Sequence, residues 1–206
     1  MKKLGQIATI RTGYPFRGSI DRVEIGNCRL VQMGDVRASA PVVADVQAYV
    51  ELPEVSDKYI LQSGDVLFVG RGVRNEAAMF TGDGGNVVAA PHLFVLRPNT
   101  ALVLPDYLTW FLNLTATQEK IHSLRSGSAV PFVPLTMFAE LEVPLPHLRR
   151  QGVVGELYRL RLREQELLRQ IGEQRQRLLD ATLLSAVERS DAVGEFYNQI
   201  PGVHEL

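Results

Sequence analysis

Cysteine is almost missing from this sequence of 206 residues, since Cys28 is the only one. No intramolecular disulfide and no cysteine-based metal site can therefore form, and the expected role of Cys28 is that of a small buried apolar side chain. The four histidines, His92, His122, His147 and His204, lack the i, i+4 spacing of metal ligands on a helix. The sequence thus predicts no metal site.

Long apolar runs are missing as well. No window approaches the roughly 18 uninterrupted apolar residues of a membrane helix, and the first ten residues lack the apolar core of a signal peptide. The formal net charge of -1 excludes a protein whose whole surface binds nucleic acid by positive charge. It does not exclude a basic patch on one face. We expect a cytoplasmic protein without membrane contact.

Lysine is scarce relative to arginine. Lys2, Lys3, Lys58 and Lys120 are the only lysines among 22 basic residues, so the other 18 are arginines. The planar guanidinium group binds phosphates and guanine edges through two hydrogen bonds at once. A genome rich in arginine codons would give the same bias, so the composition permits DNA recognition without requiring it.

Recognisable catalytic motifs are absent too. The segment Gly70-Arg71-Gly72-Val73-Arg74-Asn75 begins like a dinucleotide-binding loop but has asparagine in place of the third glycine. Ser126-Gly127-Ser128 lacks the strand-turn-helix setting of a nucleophile elbow, and a polar loop that holds a phosphate or a base is the better interpretation. We predict no catalytic residue and no cofactor, so a small hydrolase or nucleotide-binding enzyme is disfavoured.

Glycine-flanked arginines are the main candidates for a binding site. In the 70–75 segment the glycines bring the backbone close to a surface, and Arg71, Arg74 and Asn75 are expected to project outward. Arginine reads guanine and asparagine reads adenine, so we expect these three side chains to face DNA. An arginine-bearing surface turn without a ligand is the other interpretation.

A second set of residues is expected at the DNA backbone. Arg17 and Arg125 each lie beside a glycine-containing turn in an otherwise apolar region, with Ser126 and Ser128 next to Arg125. Arginine and serine side chains commonly bind phosphate oxygens. We therefore predict that Arg17 and Arg125 contact the DNA backbone, with Ser126 and Ser128 near them at the DNA.

Two regions of different composition predict an α+β protein. Residues 1–148 are rich in glycine and proline, with short Val, Ile and Phe runs that predict an irregular mixed sheet. Residues 149–189 contain no proline and are rich in Leu, Arg, Glu and Gln, which predicts one long coiled-coil-type helix. Residues 190–206 are expected to form a C-terminal tail.

Four shorter patterns within the first region predict individual elements. DKYILQSGDVLFVG predicts a strand pair around the turn Ser63-Gly64-Asp65, and NVVAAPHLFVLRP a second pair interrupted at Pro91. LPDYLTWFLNL has the start signals and apolar spacing of a helix. Residues 126–146 are expected to form a loop, one helical turn and a final strand.

The predicted helix carries an apolar stripe with steps close to three and four residues. The stripe is formed by Leu157, Leu160, Leu167, Ile171 and Leu178. A helix over residues 149–189 would run about 60 Å, longer than a domain of some 150 residues is wide. Part of the stripe therefore needs a partner outside its own domain.

The motifs in their order resemble one known family. IATIRTGYPFRG, LVQMGDV, LQSGDVLFVGRG, LPDYLTWFLN, the Ser-Gly-Ser loop and LEVPLPHLRRQ precede the long helix. This order resembles the DNA-specificity (S) subunit of type I restriction-modification systems over about residues 4–188. The resemblance implies a non-catalytic target-recognition domain, residues 1–148, that reads one half of a bipartite site in double-stranded DNA. It also implies a spacer helix that docks methyltransferase subunits, with the restriction subunit as a further partner.

The resemblance also raises expectations about assembly. Such subunits usually carry two target-recognition domains whose helices pack antiparallel, and here one domain is present, as in a half-subunit or a fragment. We expect a two-fold homodimer through residues 150–187, with the recognition domains at opposite ends. Two alternatives stay open: a methyltransferase subunit covers the stripe of a monomer, or the protein is an adaptor or inhibitor that reads no sequence.

Overall fold

Short strands and helices alternate through the first part of the chain, and one long helix follows. The computed structural model describes residues 1–16, 18, 22–40, 46, 48–82 and 85–198, without the side chains of 22 and 188–198. The strands are β1 (Lys2–Lys3), β2 (Ala8–Thr12), β3 (Arg22–Val23), β4 (Cys28–Val31), β5 (Tyr49–Val50), β6 (Val66–Val69), β7 (Ala77–Met79), β8 (Val87–Ala89), β9 (Leu93–Pro98) and β10 (Glu142–Val143). The helices are α1 (Leu4–Ile7), α2 (Pro105–Asn113), α3 (Thr115–Ser123), α4 (Leu135–Ala139) and α5 (Leu148–Asn198), with a 3-10 turn at Asp57–Tyr59.

The strands form three small sheets. One has the order β2-β9-β6-β7 and is antiparallel throughout. Another has the order β3-β5-β4-β8, in which β4 and β8 run parallel, and β1 pairs with β10 alone. This mixture of short sheets with a long C-terminal helix confirms the predicted α+β fold.

The central strand β6 separates two apolar cores. Val66 and Phe68 pack in the core that also contains α2, whereas Leu67 and Val69 pack in the core formed with the β4 and β8 sheet. Successive side chains of a strand point to opposite faces, so a strand that is covered on both faces needs an unbroken apolar run. This explains the sequence VLFV in the middle of the chain.

Most of the predicted elements of this region are confirmed. The helix at LPDYLTWFLNL, the short helix α4 and the strand β10 are present. The prediction of a strand before Ser63 is wrong. Residues 57–59 form a 3-10 turn instead, which is closed by a hydrogen bond from the Ile60 amide to the Asp57 carbonyl. The strands β8 and β9 both form but belong to different sheets.

The chain divides into two compact units, Met1–Leu162 and Arg163–Leu206. In the first unit, the beginning of α5 is fastened by Gln151, whose side chain is buried. Its amide oxygen accepts from the Leu104 amide at 2.9 Å, and its nitrogen donates to the carbonyls of Leu102 and Pro146 at 3.0 and 2.8 Å. A side chain with this many satisfied bonds fastens the first turns of α5 to the segments around Leu104 and Pro146 within the first unit.

The helix α5 is longer than expected. It begins at Leu148, one residue before the predicted start, and continues to Asn198, so residues 190–198 are helical and not part of a tail. Ser190 and Asp191 do not end the helix, because the next strong helix breaker, Pro201, comes only later. Among the described residues, no helix has the length and apolar content needed to span a bilayer.

Candidate nucleic-acid interface

The residues that follow β6 form a glycine-containing loop at the surface. Arg71, Val73 and Arg74 are exposed. Gly72 has a φ of 102°, a conformation that side-chain-bearing residues rarely adopt, so glycine is needed for the turn between the two arginines. The expected outward projection of Arg71 and Arg74 agrees with this exposure.

A second loop, residues 125–133, is bonded directly to the first. Ser126 and Phe132 exchange two backbone hydrogen bonds of 2.9 Å, which closes the second loop on itself. Between the loops, the Gly72 amide donates to the Pro131 carbonyl and the Val133 amide to the Gly70 carbonyl, both at 2.8 Å. We call residues 70–75 and 125–133 the paired loops.

The prediction for Asn75 is wrong in one respect. It was expected to project outward, but its side chain is buried, with 2% of the residue exposed. Its Nδ2 donates to the Val69 carbonyl at 2.7 Å, and its Oδ1 accepts from Arg125 Nε at 2.7 Å. Asn75 therefore holds the loop backbone in place, because both ends of its amide are occupied inside the protein.

Arg125 joins the paired loops by its side chain. Besides the bond to Asn75, one guanidinium nitrogen donates to the Val73 carbonyl at 2.8 Å. Gln118 adds a bond of 2.8 Å from its Nε2 to the Asn75 carbonyl. The loop conformation is thus set by side chains more than 40 residues away in sequence. A phosphate contact of Arg125 stays a prediction, and its visible role is to hold the loops together.

The paired loops bring several of the predicted site residues together. Arg71, Arg74, Ser126 and Ser128 are all exposed on them. Arg17 lies outside the described residues. The sequence predicts these residues in two separate loops, and no sequence pattern indicates that the loops are paired.

His92 was not expected at this site. Its carbonyl accepts a hydrogen bond of 3.0 Å from the Gly70 amide. Partial burial lowers the pKa of His92, and the positive charge of Arg71 lowers this pKa further. The Gly70 amide, next to Arg71, is thus bonded directly to the His92 backbone. No sequence pattern indicated this, because the two residues are brought together by the pairing of β6 with β9.

A buried ion pair anchors the other end of β6. Arg97 donates from Nε and one terminal nitrogen to the two carboxylate oxygens of Asp65, both at 2.8 Å, and Asp65 is 1% exposed. Asp65 also accepts from the Gln62 amide at 2.9 Å. The strand that carries the first loop is thus held at its start by charge-assisted bonds.

The stripe predicted for α5 is exposed. The exposed fractions are 61% for Leu157, 60% for Leu160, 41% for Leu167, 54% for Ile171 and 70% for Leu178. Leu168, Leu179, Leu183 and Leu184 are also exposed.

In the described residues no group of three or more His, Cys, Asp and Glu side chains has the arrangement of a metal site.

Comparison with known proteins agrees with the resemblance seen in the sequence. The model of the family described as "Type I restriction modification DNA specificity domain" matches residues 1–157. The chain belongs to this family. A search of curated proteins finds no match.

Solved structures show the same fold. The HsdS subunit from Thermoanaerobacter tengcongensis is similar with a TM-score of 0.58 and 18% identity, over 80% of this chain and 37% of that one. A structure from work on complex assembly and conformational transition of the type I R-M system gives 0.57 and 18%, over 81% and 38%. The S subunit from M. genitalium gives 0.51 and 13%, over 76% and 37%. The chain therefore spans less than two fifths of the length of these proteins.

Proposed function

We propose that this protein recognises a specific sequence in double-stranded DNA as the specificity component of a type I restriction-modification complex. Residues 1–148 would read one half of a bipartite site, and the helix α5 would dock the methyltransferase subunit, with the restriction subunit as a further partner. The observation that carries the proposal is the pair of interlocked loops that present Arg71 and Arg74 to solvent.

The chemistry of the paired loops suits duplex DNA. Residues 70–75 and 125–133 contain three arginines and no acidic residue, which favours an anionic partner. Exposed arginines can bind the O6 and N7 atoms of guanine in the major groove, and Ser126 and Ser128 can donate to phosphates. Because the backbone of both loops is already hydrogen-bonded, little conformational entropy needs to be lost on binding.

The methyl transfer and cleavage reactions would be supplied by partner subunits. Membership of the family points to DNA recognition, and we propose no reacting group on this chain. The protein's contribution would be to position the partner enzyme over a chosen sequence. The exposed stripe on α5 supports a role in assembly, since an apolar surface of this extent marks an interface.

We further propose that a second copy of the chain covers the stripe, so that two recognition domains bind an inverted repeat. The support is the spacing of Leu157, Leu160, Leu167, Ile171 and Leu178, all exposed, on a continuous helix. A two-fold dimer buries the same face of both helices, which closes the assembly. A monomer whose stripe is covered by the methyltransferase subunit is the alternative.

The proposal is tested by selection from a pool of randomised DNA duplexes, with and without the methyltransferase subunit. We expect enrichment of one sequence, and an affinity that falls with salt as phosphate contacts are screened. An adaptor that reads no sequence would give at most the salt dependence without enrichment. Failure to enrich any sequence, in the presence of the methyltransferase subunit, would overturn the proposed function.

A further inference from the structure

Three apolar side chains are exposed on the paired loops, where arginine and serine were the expected surface residues. The exposed fraction is 76% for Val73, 48% for Val130 and 44% for Phe132. Single exposed apolar residues are ordinary on protein surfaces and need no explanation. Three of them on two interlocked loops, together with the exposed Arg71 and Arg74, indicate a surface that meets a partner.

The backbone at Val73 is fixed by hydrogen bonds. The carbonyl of Val73 accepts from Arg125 at 2.8 Å, and the preceding Gly72 amide donates to Pro131. The valine side chain is branched at Cβ and has few rotamers. The exposed Val73 side chain therefore has few orientations available to it.

Phe132 is equally constrained. Its amide and carbonyl are both bonded to Ser126. A Cβ atom at Gly127, whose φ is 88°, would lie 3.4 Å from Phe132 Cδ1 and 3.1 Å from the Val130 carbonyl oxygen. A side chain at position 127 would crowd this ring and strain the backbone, so glycine keeps the space beside Phe132 open.

The surroundings of these residues identify the partner. The positive charge of Arg71 and Arg74 favours the phosphates of DNA on either side of a contact. Within the major groove, the apolar group that distinguishes one base from the others is the C5-methyl group of thymine. Apolar side chains on an arginine-bearing loop therefore complement a groove that contains thymine.

We propose that Val73, Val130 and Phe132 form an apolar patch that contacts thymine methyl groups and so determines part of the sequence specificity. The proposal rests on the proposed function, because it requires the paired loops to face the major groove. These three side chains carry no hydrogen-bonding group, in contrast to Arg71 and Arg74. It also predicts that the recognised half-site contains at least one thymine.

The test replaces each thymine of the selected site in turn by deoxyuridine, which removes the methyl group and leaves every hydrogen-bonding atom. The parent protein should bind about fourfold more weakly when a contacted thymine is replaced, as expected for one buried methyl-sized group. In Val73→Ala or Phe132→Ala the same replacement should have no effect at the contacted thymine. Ile25→Ala is the matched control, since Ile25 is 89% exposed outside the paired loops, and this variant should keep the full sensitivity.

The possible results separate the two proposals. A chain that enriches no sequence refutes the proposed function. A chain that enriches a sequence but binds every deoxyuridine site as tightly as the parent site refutes the apolar patch alone. Retained sensitivity in both loop variants, or a selected site without thymine, would also overturn the patch. Circular dichroism of each variant confirms that the fold is intact before binding is measured.

Discussion

The paired loops and the helix beyond Leu162 are stabilised in opposite ways. In the loops, Arg125 bonds to residues 50 and 52 positions earlier in the chain. In the helix, Arg169 bonds to Glu166 and Glu173, three and four residues away. Hydrogen bonds from Arg169 and then Gln170 lower the pKa of Glu166 to about 2, an effect that also arises within one turn of the helix.

This difference shows how each region can act. The loops are fixed by the tertiary fold, so their exposed side chains are presented in one arrangement to a partner. The helix uses its polar residues for local bonds and leaves its leucines exposed. We therefore propose that the loops read the DNA sequence and that the helix mediates assembly, and four experiments test this proposal.

The largest effect is expected on assembly. Replacing Leu160 and Leu167 by Glu places charge in the stripe, so the proposed homodimer should dissociate completely. Sedimentation velocity at micromolar concentration would show the mass of one chain. Gln165→Glu adds a negative charge at an exposed polar position of the same helix and should leave the dimer intact. A parent chain that is already monomeric would reject the homodimer.

The next effect is on the stability of the sheet that carries the loops. Asp65→Ala removes the buried carboxylate that accepts from Arg97 and from the Gln62 amide, and should lower the free energy of unfolding by about 1.5 to 3 kcal/mol. Urea unfolding followed by circular dichroism measures this change. Glu54→Ala, at an exposed position, and Arg169→Ala, in the helix, should leave the unfolding midpoint unchanged. An equal loss of stability in all three variants would contradict the view that the Asp65–Arg97 pair stabilises the fold more than exposed or local charges do.

Two neighbouring residues should separate loop positioning from DNA contact. Asn75→Ala removes two buried hydrogen bonds and should cost about 1 to 3 kcal/mol of stability, without altering the slope of log affinity against log salt. Arg74→Ala should leave stability unchanged and reduce that slope by about one if Arg74 binds a phosphate. An Asn75 variant with full stability would remove the positioning role.

The smallest effect is electrostatic. Arg71→Ala should raise the pKa of His92, because the arginine charge disfavours protonation, although burial, the larger cause, would still hold this pKa below 6.5. Because the pKa of His92 is lower in the folded protein than in the unfolded chain, the unfolded chain binds the proton more readily. Protonation of His92 should therefore lower the free energy of unfolding as the pH falls below about 6.5. An NMR titration of the imidazole protons measures the shift. An unchanged value would place Arg71 too far away to interact.

The sequence predicted those parts of the fold that depend on local patterns. The helix at Pro105, the short helix α4 and the long helix α5 follow from residue spacing, caps and the absence of proline. The helix α5 continues past the predicted end at residue 189, because no proline occurs before Pro201. The sequence predicts a strand where the 3-10 turn at Asp57 forms, since Tyr59 and Ile60 favour strands.

The candidate site was less predictable. The glycines identified both loops, but the pairing of Gly72 with Pro131 depends on two segments that only the folded sheet brings together. The burial of Asn75 could not be inferred either, because an asparagine beside arginines has the same composition whether it faces DNA or the protein. The resemblance to the family identified the type of function without assigning roles to particular residues.

We propose that the paired loops read bases, and this is tested by the base preference of Arg71→Ala and Arg74→Ala at each position of the selected site. If either side chain reads a base, its removal should cost about 1 to 3 kcal/mol of binding and relax the preference at a single position. The other positions should keep their preference. Uniform weakening on all sequences in both variants, or unchanged affinity and preference in both, would contradict the claim.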